Sequence, residues 1–309
     1  MGDLIRSPFH YTGNKKKVLQ NGLYDFMKEN VTGRLVDVMV GSGAVLYNSP
    51  HGGVGSDISL PVIGMHSFLR HDPDPIGRIV REYFRAFPGG EVTEQGYYEL
   101  RAVENEFYQM YLMADVPMAV PRHMAILFIL TQLSFNSLMR FGPRGYNAPY
   151  GHGQKQFDSS RISKARNASL ALNLHFSHRD YLEEPLCILG NDVFYYDPPY
   201  YISSDQYVYE GWPTEKERLM RNQIKAIADS GSGVILSNVA LYRGKRNDDL
   251  LREMNEAGFF IYVVGSVNYQ AWANVKTTDQ SKSKKTIEII ITNMESGSLN
   301  ELDVKEFLK

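Results

Sequence analysis

The stretch that decides the fold is residues 35–57, with the sequence LVDVMVGSGAVLYNSPHGGVGSD. Its apolar start predicts a short strand over residues 35–39, and Gly41-Ser42-Gly43 predicts a tight turn directly after that strand. Residues 44–47 indicate the start of a helix, and a second predicted strand ends at Asp57. A strand, glycine turn, helix, strand and acid in this order form the first unit of a doubly wound α/β sheet.

Apolar periodicity predicts the remaining elements in three regions of the chain. The N-terminal region predicts helices over residues 15–29 and 61–69. The middle region predicts helices over residues 97–113, 118–133 and 165–174, with a loop or hairpin at 141–153. Strands and helices then alternate over residues 193–196, 215–228, 233–237, 248–257 and 259–264, and a β-hairpin is predicted from 265–272 and 286–292. We therefore expect one α/β domain, residues 1–70 and 173–293, interrupted by a mostly helical insertion at 71–172 and followed by a tail at 294–309.

Composition excludes few classes of protein. The 309 residues carry a net charge of −2, so a surface for a polyanion would have to be local. The single cysteine, Cys187, forms no internal disulfide, which is typical of a reducing cytoplasm. No apolar run approaches the roughly 20 residues of a membrane span, and the N-terminus lacks the apolar core of a signal peptide. We expect a cytoplasmic protein that is a monomer in solution.

Asp197-Pro198-Pro199-Tyr200 follows the predicted strand at residues 193–196. Two prolines cannot continue a strand ladder, so the chain leaves the sheet there in an extended shape. The acid and the backbone carbonyls can accept hydrogen bonds from an amino group, and the aromatic ring can stack on a planar ring. Open α/β sheets place their chemistry at this end of the strands. The alternative is a proline-rich turn without a chemical role.

Two further positions have both a ligand-binding and a structural interpretation. Asp57, after the glycine turn at Gly41 and Gly43, can accept both hydroxyls of a ribose, or it can serve as a helix N-cap. Lys15 lies at a predicted helix start, where the helix dipole disfavours a cation. That placement points to an anionic or carbonyl partner, although the side chain can equally be a solvated charge beside Lys16 and Lys17.

Residues 140–166 combine six basic residues with a single acid and four aromatic residues. Basic side chains interleaved with aromatics suit phosphate contacts and base stacking, whereas the alternative is a solvated polar loop. The basic residues are Arg140, Arg144, Lys155, Arg161, Lys164 and Arg166. His175, His178 and Asp180 have metal-like spacing, but no second cluster completes a site, so we expect no metal.

Six motifs together resemble the Dam-type adenine-N6 DNA methyltransferases of the D12 class, especially the compact phage members. The resemblance runs from residue 8 to about residue 293, in the order of the family. The motifs are residues 9–15 (FHYTGNK), 36–45 (VDVMVGSGAV), 56–58 (SDI), 135–140 (FNSLMR) with 146–151 (YNAPYG), 197–200 (DPPY) and 236–238 (LSN). The family usually has Pro and Phe where this chain has Met39 and Val40.

The resemblance implies a Rossmann-like methyltransferase sheet with a C-terminal β-hairpin and an inserted target-recognition domain. It implies S-adenosylmethionine as the cofactor, S-adenosylhomocysteine as the product, and a flipped adenine in double-stranded DNA as the substrate. The implied catalytic residues are Asp197, Pro198 and Tyr200. The implied cofactor-binding residues are Tyr11, Lys15, Gly41, Gly43, Asp57 and Asp197. The implied DNA-binding residues are Phe135, Asn136, Leu138, Arg140, Asn147 and Pro149.

Two other functions share parts of this pattern. RNA or protein-amide N-methyltransferases use the same general fold with an Asn/Asp-Pro-Pro-Tyr motif, and a catalytically silent DNA-binding protein could be built on it. The segment like the family's recognition hairpin favours DNA, and the active-site motifs look intact. GATC, common in the family, is the site that the resemblance suggests.

Overall fold

The computed structural model describes residues 4–11, 13, 15–87, 92–114, 120–151, 158–181, 189–202, 213–265 and 286–309. These residues form a mixed α/β protein, consistent with a methyltransferase fold. The helices are α1 (Lys16–Val18), α2 (Tyr24–Asn30), α3 (Leu60–His71), α4 (Pro75–Ala86), α5 (Glu94–Ala114), α6 (Pro121–Leu133), α7 (Ser159–Ala171), α8 (Thr214–Asp229), α9 (Asp248–Glu256) and α10 (Val304–Phe307). The strands are β1 (Leu35–Asp37), β2 (Gly53–Asp57), β3 (Phe141–Gly142), β4 (Gly145–Tyr146), β5 (His175–His178), β6 (Val193–Tyr196), β7 (Gly233–Tyr242), β8 (Lys245–Arg246), β9 (Phe260–Val263), β10 (Thr286–Thr292) and β11 (Asn300–Glu301).

The chain divides into two compact units. The first unit comprises Met1–Asn14, Val40–Asn48 and Val54–Asp180, and the second comprises Lys15–Met39, Ser49–Gly53 and Tyr181–Lys309. The predicted division into a catalytic domain and an insertion stays a prediction. Among the described residues, no helix combines the length and apolar character that a membrane crossing requires.

The first unit is built around α6. Every residue of this helix from His123 to Leu133 is buried, and its sequence is apolar on nearly all faces, which is typical of a helix packed on all sides. Helices α3, α4 and α5 pack against α6. Strands β2 and β5 run parallel in this unit, with Val54 opposite His175 and Asp57 opposite His178. Strands β3 and β4 form a short antiparallel hairpin.

The second unit contains a sheet with the strand order β11-β9-β10-β7-β6-β1. Strands β1, β6 and β7 are parallel, and α8 supplies the crossover that parallel neighbours β6 and β7 need. All four residues of β6 are buried, as expected for a parallel strand covered on both faces. Strand β10 lies between β7 and β9 and runs antiparallel to both.

Most predicted elements are confirmed within a few residues, but the predicted helix at residues 15–29 is interrupted. Asn21 and Gly22 leave the helical conformation, with φ of −95° and +126°. The φ of Gly22 strains any residue that has a Cβ atom, and such an atom at Gly22 would also press against the side chain of Leu299. Residues 19–23 therefore form a π-helical turn between α1 and α2.

Three further differences concern whole elements or their bounds. The helix predicted to start at residues 44–47 is only a short 3₁₀ turn at Leu46–Asn48. Helix α4 was not predicted; it begins after Asp74, whose side chain accepts a hydrogen bond from the Gly77 amide. Helix α7 starts at Ser159 instead of residue 165, because the Asp158 side chain caps it by accepting from the Arg161 amide at 3.0 Å. Residues 266–272 of the predicted hairpin lie outside the described residues.

Candidate functional site

The carboxyl end of β6 brings three of the predicted site residues of the second unit together. The Lys15 ammonium lies 2.7 Å from Asp197 Oδ1, and Lys15 is 7% exposed. The same Nζ atom lies 5.1 Å from the centre of the Tyr200 ring, within cation–π distance. Lys15 is therefore not a solvated charge, because its ammonium is buried and paired with Asp197.

The electrostatics of this cluster follow from burial and from the ion pair. Burial raises the pKa of Asp197, and the neighbouring Lys15 ammonium opposes the rise. Burial lowers the pKa of Lys15, but Asp197 and Tyr200 outweigh it, so that the net pKa of Lys15 is raised and the ammonium stays charged. Burial also raises the pKa of Tyr200 to about 12, so the phenol is neutral at physiological pH.

The predicted 236–238 motif supports this cluster from β7. The Ser237 hydroxyl lies 3.4 Å from the Tyr200 hydroxyl and is buried. Asn238 is also buried and accepts a hydrogen bond from Asn247, the residue before α9, at 3.2 Å. Ser237 therefore touches the cluster, whereas Asn238 anchors the strand to the next helix.

Within the first unit, the Asp57 side chain binds the backbone of the glycine turn and that of Ser59, the residue before α3. The Gly41 amide donates to Asp57 Oδ2 at 2.9 Å, and the Ser59 amide donates to Asp57 Oδ1 at 2.8 Å. Gly41 and Gly43 have positive φ values of 45° and 73°. A Cβ at Gly43 would lie 2.7 Å from the Tyr47 ring, which adds a packing reason for glycine there.

The Asp57 carboxylate has acceptor capacity beyond the two amides that it binds. Each of its carboxylate oxygens accepts one backbone N–H group and keeps a second lone-pair direction for a hydroxyl donor. Burial raises the pKa of Asp57, and the amides of Ser59 and Gly41 oppose that rise. The prediction that Asp57 is a helix N-cap is wrong, because Ser59 is the N-cap of α3 and, at this helix start, Asp57 binds only the amide of Ser59 itself.

His66 holds the other side of the glycine turn and was missed by the sequence analysis. Its Nε2 lies 2.9 Å from the Gly41 carbonyl oxygen, and its Nδ1 lies 3.0 Å from the Tyr47 hydroxyl. The ring is fully buried and stacks on Phe176, with centroids 4.5 Å apart and 6° between the planes. Because a carbonyl only accepts, Nε2 carries the proton and Nδ1 accepts from Tyr47. Both polar backbone groups of Gly41 are thus fixed, and the one available signal was a histidine inside the apolar run of α3.

His66 predicts a specific pH dependence of stability. Burial lowers the folded-state pKa of His66 from 6.5 to about 4, although the Gly41 carbonyl opposes the shift. Only the unfolded chain takes up this proton between pH 6.5 and 4. The contribution of His66 to the free energy of unfolding is therefore complete above pH 6.5 and falls by up to about 3 kcal/mol as the pH drops to 4.

Urea unfolding of the parent and of His66→Gln across this pH window measures the effect. The variant side chain does not titrate, so its free energy of unfolding should fall less steeply, and shared groups cancel in the difference. His175→Gln, which removes an exposed histidine on β5, is the control and should follow the parent. Parallel curves for the parent and His66→Gln would contradict the prediction.

A polar stripe on α5 holds the β3–β4 hairpin and the segment after it. Four side chains at four-residue spacing donate hydrogen bonds to hairpin carbonyls at 2.9–3.2 Å. The donors are Tyr97, Arg101, Asn105 and Gln109. The acceptors are the carbonyls of Pro143, Tyr146 and Ala148. Residues four apart share one helix face, so the spacing was visible in the sequence, but the carbonyls that it serves were not.

The predicted DNA-binding residues are brought together around this hairpin. The Phe135 amide donates to the Pro149 carbonyl at 2.8 Å, and the Phe135 side chain is 52% exposed after the end of α6. Asn136 follows with a left-handed φ of 53°. Arg140 is exposed and donates to Asn147, while Leu138 is half-buried. The DNA contacts of these residues stay a prediction.

The basic residues predicted to contact phosphates differ in how exposed they are. Arg161 is 9% exposed and its guanidinium donates to the Ser7 carbonyl, so the structure contradicts a solvent-facing role for this residue. Lys164 is exposed on α7, whereas Arg166 is half-buried and donates to the Asp72 carbonyl oxygen at 3.4 Å. Arg144, another basic residue of this stretch, is exposed at the hairpin turn. Lys155 lies outside the described residues. Tyr11, predicted to bind the cofactor, is half-buried.

Within the described ranges, His, Cys, Asp and Glu side chains form no group of three that could hold a metal ion. The α/β fold, the glycine turn and the acid–aromatic cluster after β6 are consistent with the class of methyltransferases. Over residues 11–279 the chain matches the model of the family described as D12 class N6 adenine-specific DNA methyltransferase. The chain belongs to this family.

Two curated relatives are similar at low identity. The modification methylase StsI of Streptococcus sanguinis is 24% identical over 97% of this chain and 45% of its own length. The modification methylase LlaI of Lactococcus lactis subsp. lactis is 24% identical over 84% of this chain and 41% of its own length. The chain thus spans less than half the length of these relatives.

Proposed function

We propose that this chain transfers a methyl group from S-adenosylmethionine to the N6 amine of an adenine flipped out of duplex DNA. The observation that carries the proposal is the cluster of Lys15, Asp197 and Tyr200 at the carboxyl end of β6, in a chain of the D12 family. It offers a hydrogen-bond acceptor for an amine beside an aromatic face for a base.

In this proposal Asp197 and the Pro198 carbonyl accept hydrogen bonds from N6, and Tyr200 stacks on the adenine ring. Each oxygen of Asp197 has two lone-pair sites, so the carboxylate can keep its bond to Lys15 and still accept from N6. When bound, S-adenosylmethionine supplies an electrophilic methyl group whose bond to sulfur breaks as the N6–carbon bond forms. Asp197 holds the proton that N6 releases. The rate gain comes from positioning and local electrostatics.

The remaining roles are assigned to the residues that the family motifs mark. Asp57 accepts the ribose hydroxyls, and Gly41 and Gly43 let the backbone approach the cofactor. Tyr11 and Lys15 complete the cofactor contacts. Phe135 and Asn136 wedge into the base stack or fill the gap left by the flipped base. GATC is the candidate recognition site, and protection of DNA in a restriction–modification system is the role that the names of the two relatives support.

Methylation of DNA in cells tests the activity directly. The chain is expressed in bacteria that lack adenine methylation, and N6-methyladenine is mapped by sequencing. We expect methylated adenine at one short sequence, and none with the Asp197→Ala variant. Transfer of labelled methyl groups to RNA or protein, with unmodified DNA, would overturn the proposal. Binding to DNA without transfer to any substrate would also overturn it.

Arg140 is expected to read one base pair, because arginine pairs with guanine O6 and N7 in the major groove. Arg140→Ala should relax discrimination at that pair by about 1–3 kcal/mol. Lys164→Ala removes an exposed charge on α7 and is the control, which should weaken binding evenly across sequences and lower its salt dependence. Methylation rates on duplexes with single base-pair substitutions separate the two. Equal slowing of all duplexes by Arg140→Ala would place Arg140 among the phosphate contacts.

A further inference from the structure

The guanidinium of Arg140 is held along one edge by Asn147. Arg140 Nε donates to Asn147 Oδ1 at 2.7 Å, and Arg140 Nη2 donates to the Asn147 carbonyl oxygen at 3.1 Å. The Asn147 amide in turn donates to the Arg140 carbonyl oxygen at 2.9 Å. One residue therefore binds both the backbone and the side chain of Arg140.

This arrangement decides which donors of Arg140 face outward. A guanidinium has five N–H donors in a planar fork, and a bidentate contact uses two neighbouring donors. The bonds to Asn147 use the edge formed by Nε and Nη2. The end of the fork, formed by Nη1 and the second hydrogen of Nη2, is left for a bidentate acceptor, and the side chain is exposed.

Asn147 itself is fixed by its surroundings. It follows β4, and the carbonyls of its two neighbours, Tyr146 and Ala148, are bound by the polar stripe on α5. A Cβ atom at Gly142, on the opposite strand of the hairpin, would lie 2.7 Å from Asn147 Nδ2. Glycine at position 142 thus leaves the space that the Asn147 amide occupies.

We propose that Asn147 is a positioning residue that sets sequence specificity through Arg140. It holds the guanidinium so that the Nη1–Nη2 end reads a guanine, and it does not read a base itself. This inference rests on the proposed function, since it names how the same site selects its substrate. It replaces the direct DNA contact that the sequence analysis predicted for Asn147.

Three substitutions in the full chain test the inference with the set of single-substitution duplexes. Asn147→Ala removes the side-chain oxygen that accepts from Arg140 Nε. It should reduce the preference at the base pair read by Arg140 about tenfold, with little change on other duplexes. Asn147→Asp keeps an oxygen acceptor for Nε. Its added negative charge should weaken binding to every duplex while the preference remains. The inference thus predicts that Asn147→Ala loses the preference and that Asn147→Asp keeps it. An Asn147 that contacted a base directly, or that had only a structural role, would not give this difference between the two variants.

Gly142→Ala disturbs the same contact without changing either partner. The added methyl group displaces the Asn147 amide, so the preference should fall as it does in Asn147→Ala. Arg144→Ala is the matched control, because it removes an exposed positive charge from the same hairpin without touching the Arg140–Asn147 bonds. The control should keep the preference and weaken all duplexes evenly.

Nitrogen-15 NMR of the DNA-free protein reports the contact independently of methyl transfer. The Nε–H proton of Arg140 should exchange slowly in the parent and in Asn147→Asp, and faster in Asn147→Ala and Gly142→Ala. If the parent prefers one base pair and Asn147→Ala keeps this preference, the inference about Asn147 is overturned while the proposed function stands. A parent without any preference among the duplexes would overturn the proposed function as well.

Discussion

Asp197→Ala is expected to slow methyl transfer by about 10²–10⁴-fold, because it removes the acceptor that binds the N6 amine in the transition state. Single-turnover rates on a duplex that carries the recognised site measure this effect. The loss should appear in the rate constant of transfer, with the affinity for DNA nearly unchanged. A variant that keeps substantial activity would remove Asp197 from the role of amine acceptor.

The same substitution is also expected to destabilise the fold. It removes the carboxylate that pairs with the buried Lys15 ammonium at 2.7 Å, and breaking a buried ion pair by removing one partner costs about 3–5 kcal/mol. The double variant Lys15→Met/Asp197→Ala removes both charges, so the free energy of unfolding should recover while activity stays lost. Urea unfolding of the single and double variants measures the recovery.

Asp25→Ala is the control for this double-mutant cycle. Asp25 pairs with Lys28 at 2.6 Å, but both side chains are more than one-third exposed. Water screens such a pair, so the substitution should change stability far less than Asp197→Ala. If Asp197→Ala were as stable as the parent, the ion pair would contribute nothing to folding and the cycle would contradict the prediction.

Asp57→Ala is expected to weaken the binding of S-adenosylhomocysteine by about 10²–10⁴-fold. Two charge-assisted hydrogen bonds to the ribose hydroxyls would be lost, each of about 1.5–3 kcal/mol. The substitution also removes the acceptor for the amides of Gly41 and Ser59, so the glycine turn loses part of its support. Isothermal titration calorimetry with S-adenosylhomocysteine measures the affinity.

Two further variants separate ribose binding from support of the turn. Asp57→Asn keeps one oxygen acceptor and should lose less affinity than Asp57→Ala. Asp74→Ala removes a carboxylate of the same unit that accepts the Gly77 amide at the start of α4, and it should leave the affinity unchanged. Unchanged affinity in Asp57→Ala would show that Asp57 is not part of the cofactor site.

The sequence predicted most of the fold because its signals are local. Apolar runs and periodicities located β6, α8 and β10 within one or two residues. They did so because the buried face of each element is formed by residues that are close together in the sequence. The predicted helix at residues 15–29 is interrupted at Asn21-Gly22, where Gly22 has a φ of +126° and lies against Leu299 from the far end of the chain. Local periodicity contains no information about such a contact.

The candidate site divides in the same way. The glycine turn, Asp57 and the 197–200 motif were found from the sequence. Each is one residue or a run of adjacent residues, so its chemistry can be inferred from residue type alone. The partners of Lys15, His66 and Asn147 were not found, because each partner lies far along the chain or across a turn. The resemblance implied a catalytic role for Asp197, and its buried ion pair with Lys15 adds a contribution to folding that the sequence did not indicate.

The sequence by itself thus determined the α/β class, the order of the motifs and the positions of the candidate site residues, because these follow from residue type and short-range spacing. Only the tertiary structure decided the ion pair of Lys15, the buried place of Arg161, the hydrogen bonds that fix Gly41, and the edge of Arg140 that Asn147 binds. The physical reason is that burial and hydrogen-bond partners belong to pairs of residues that folding brings together. No single segment of the chain contains both members of such a pair.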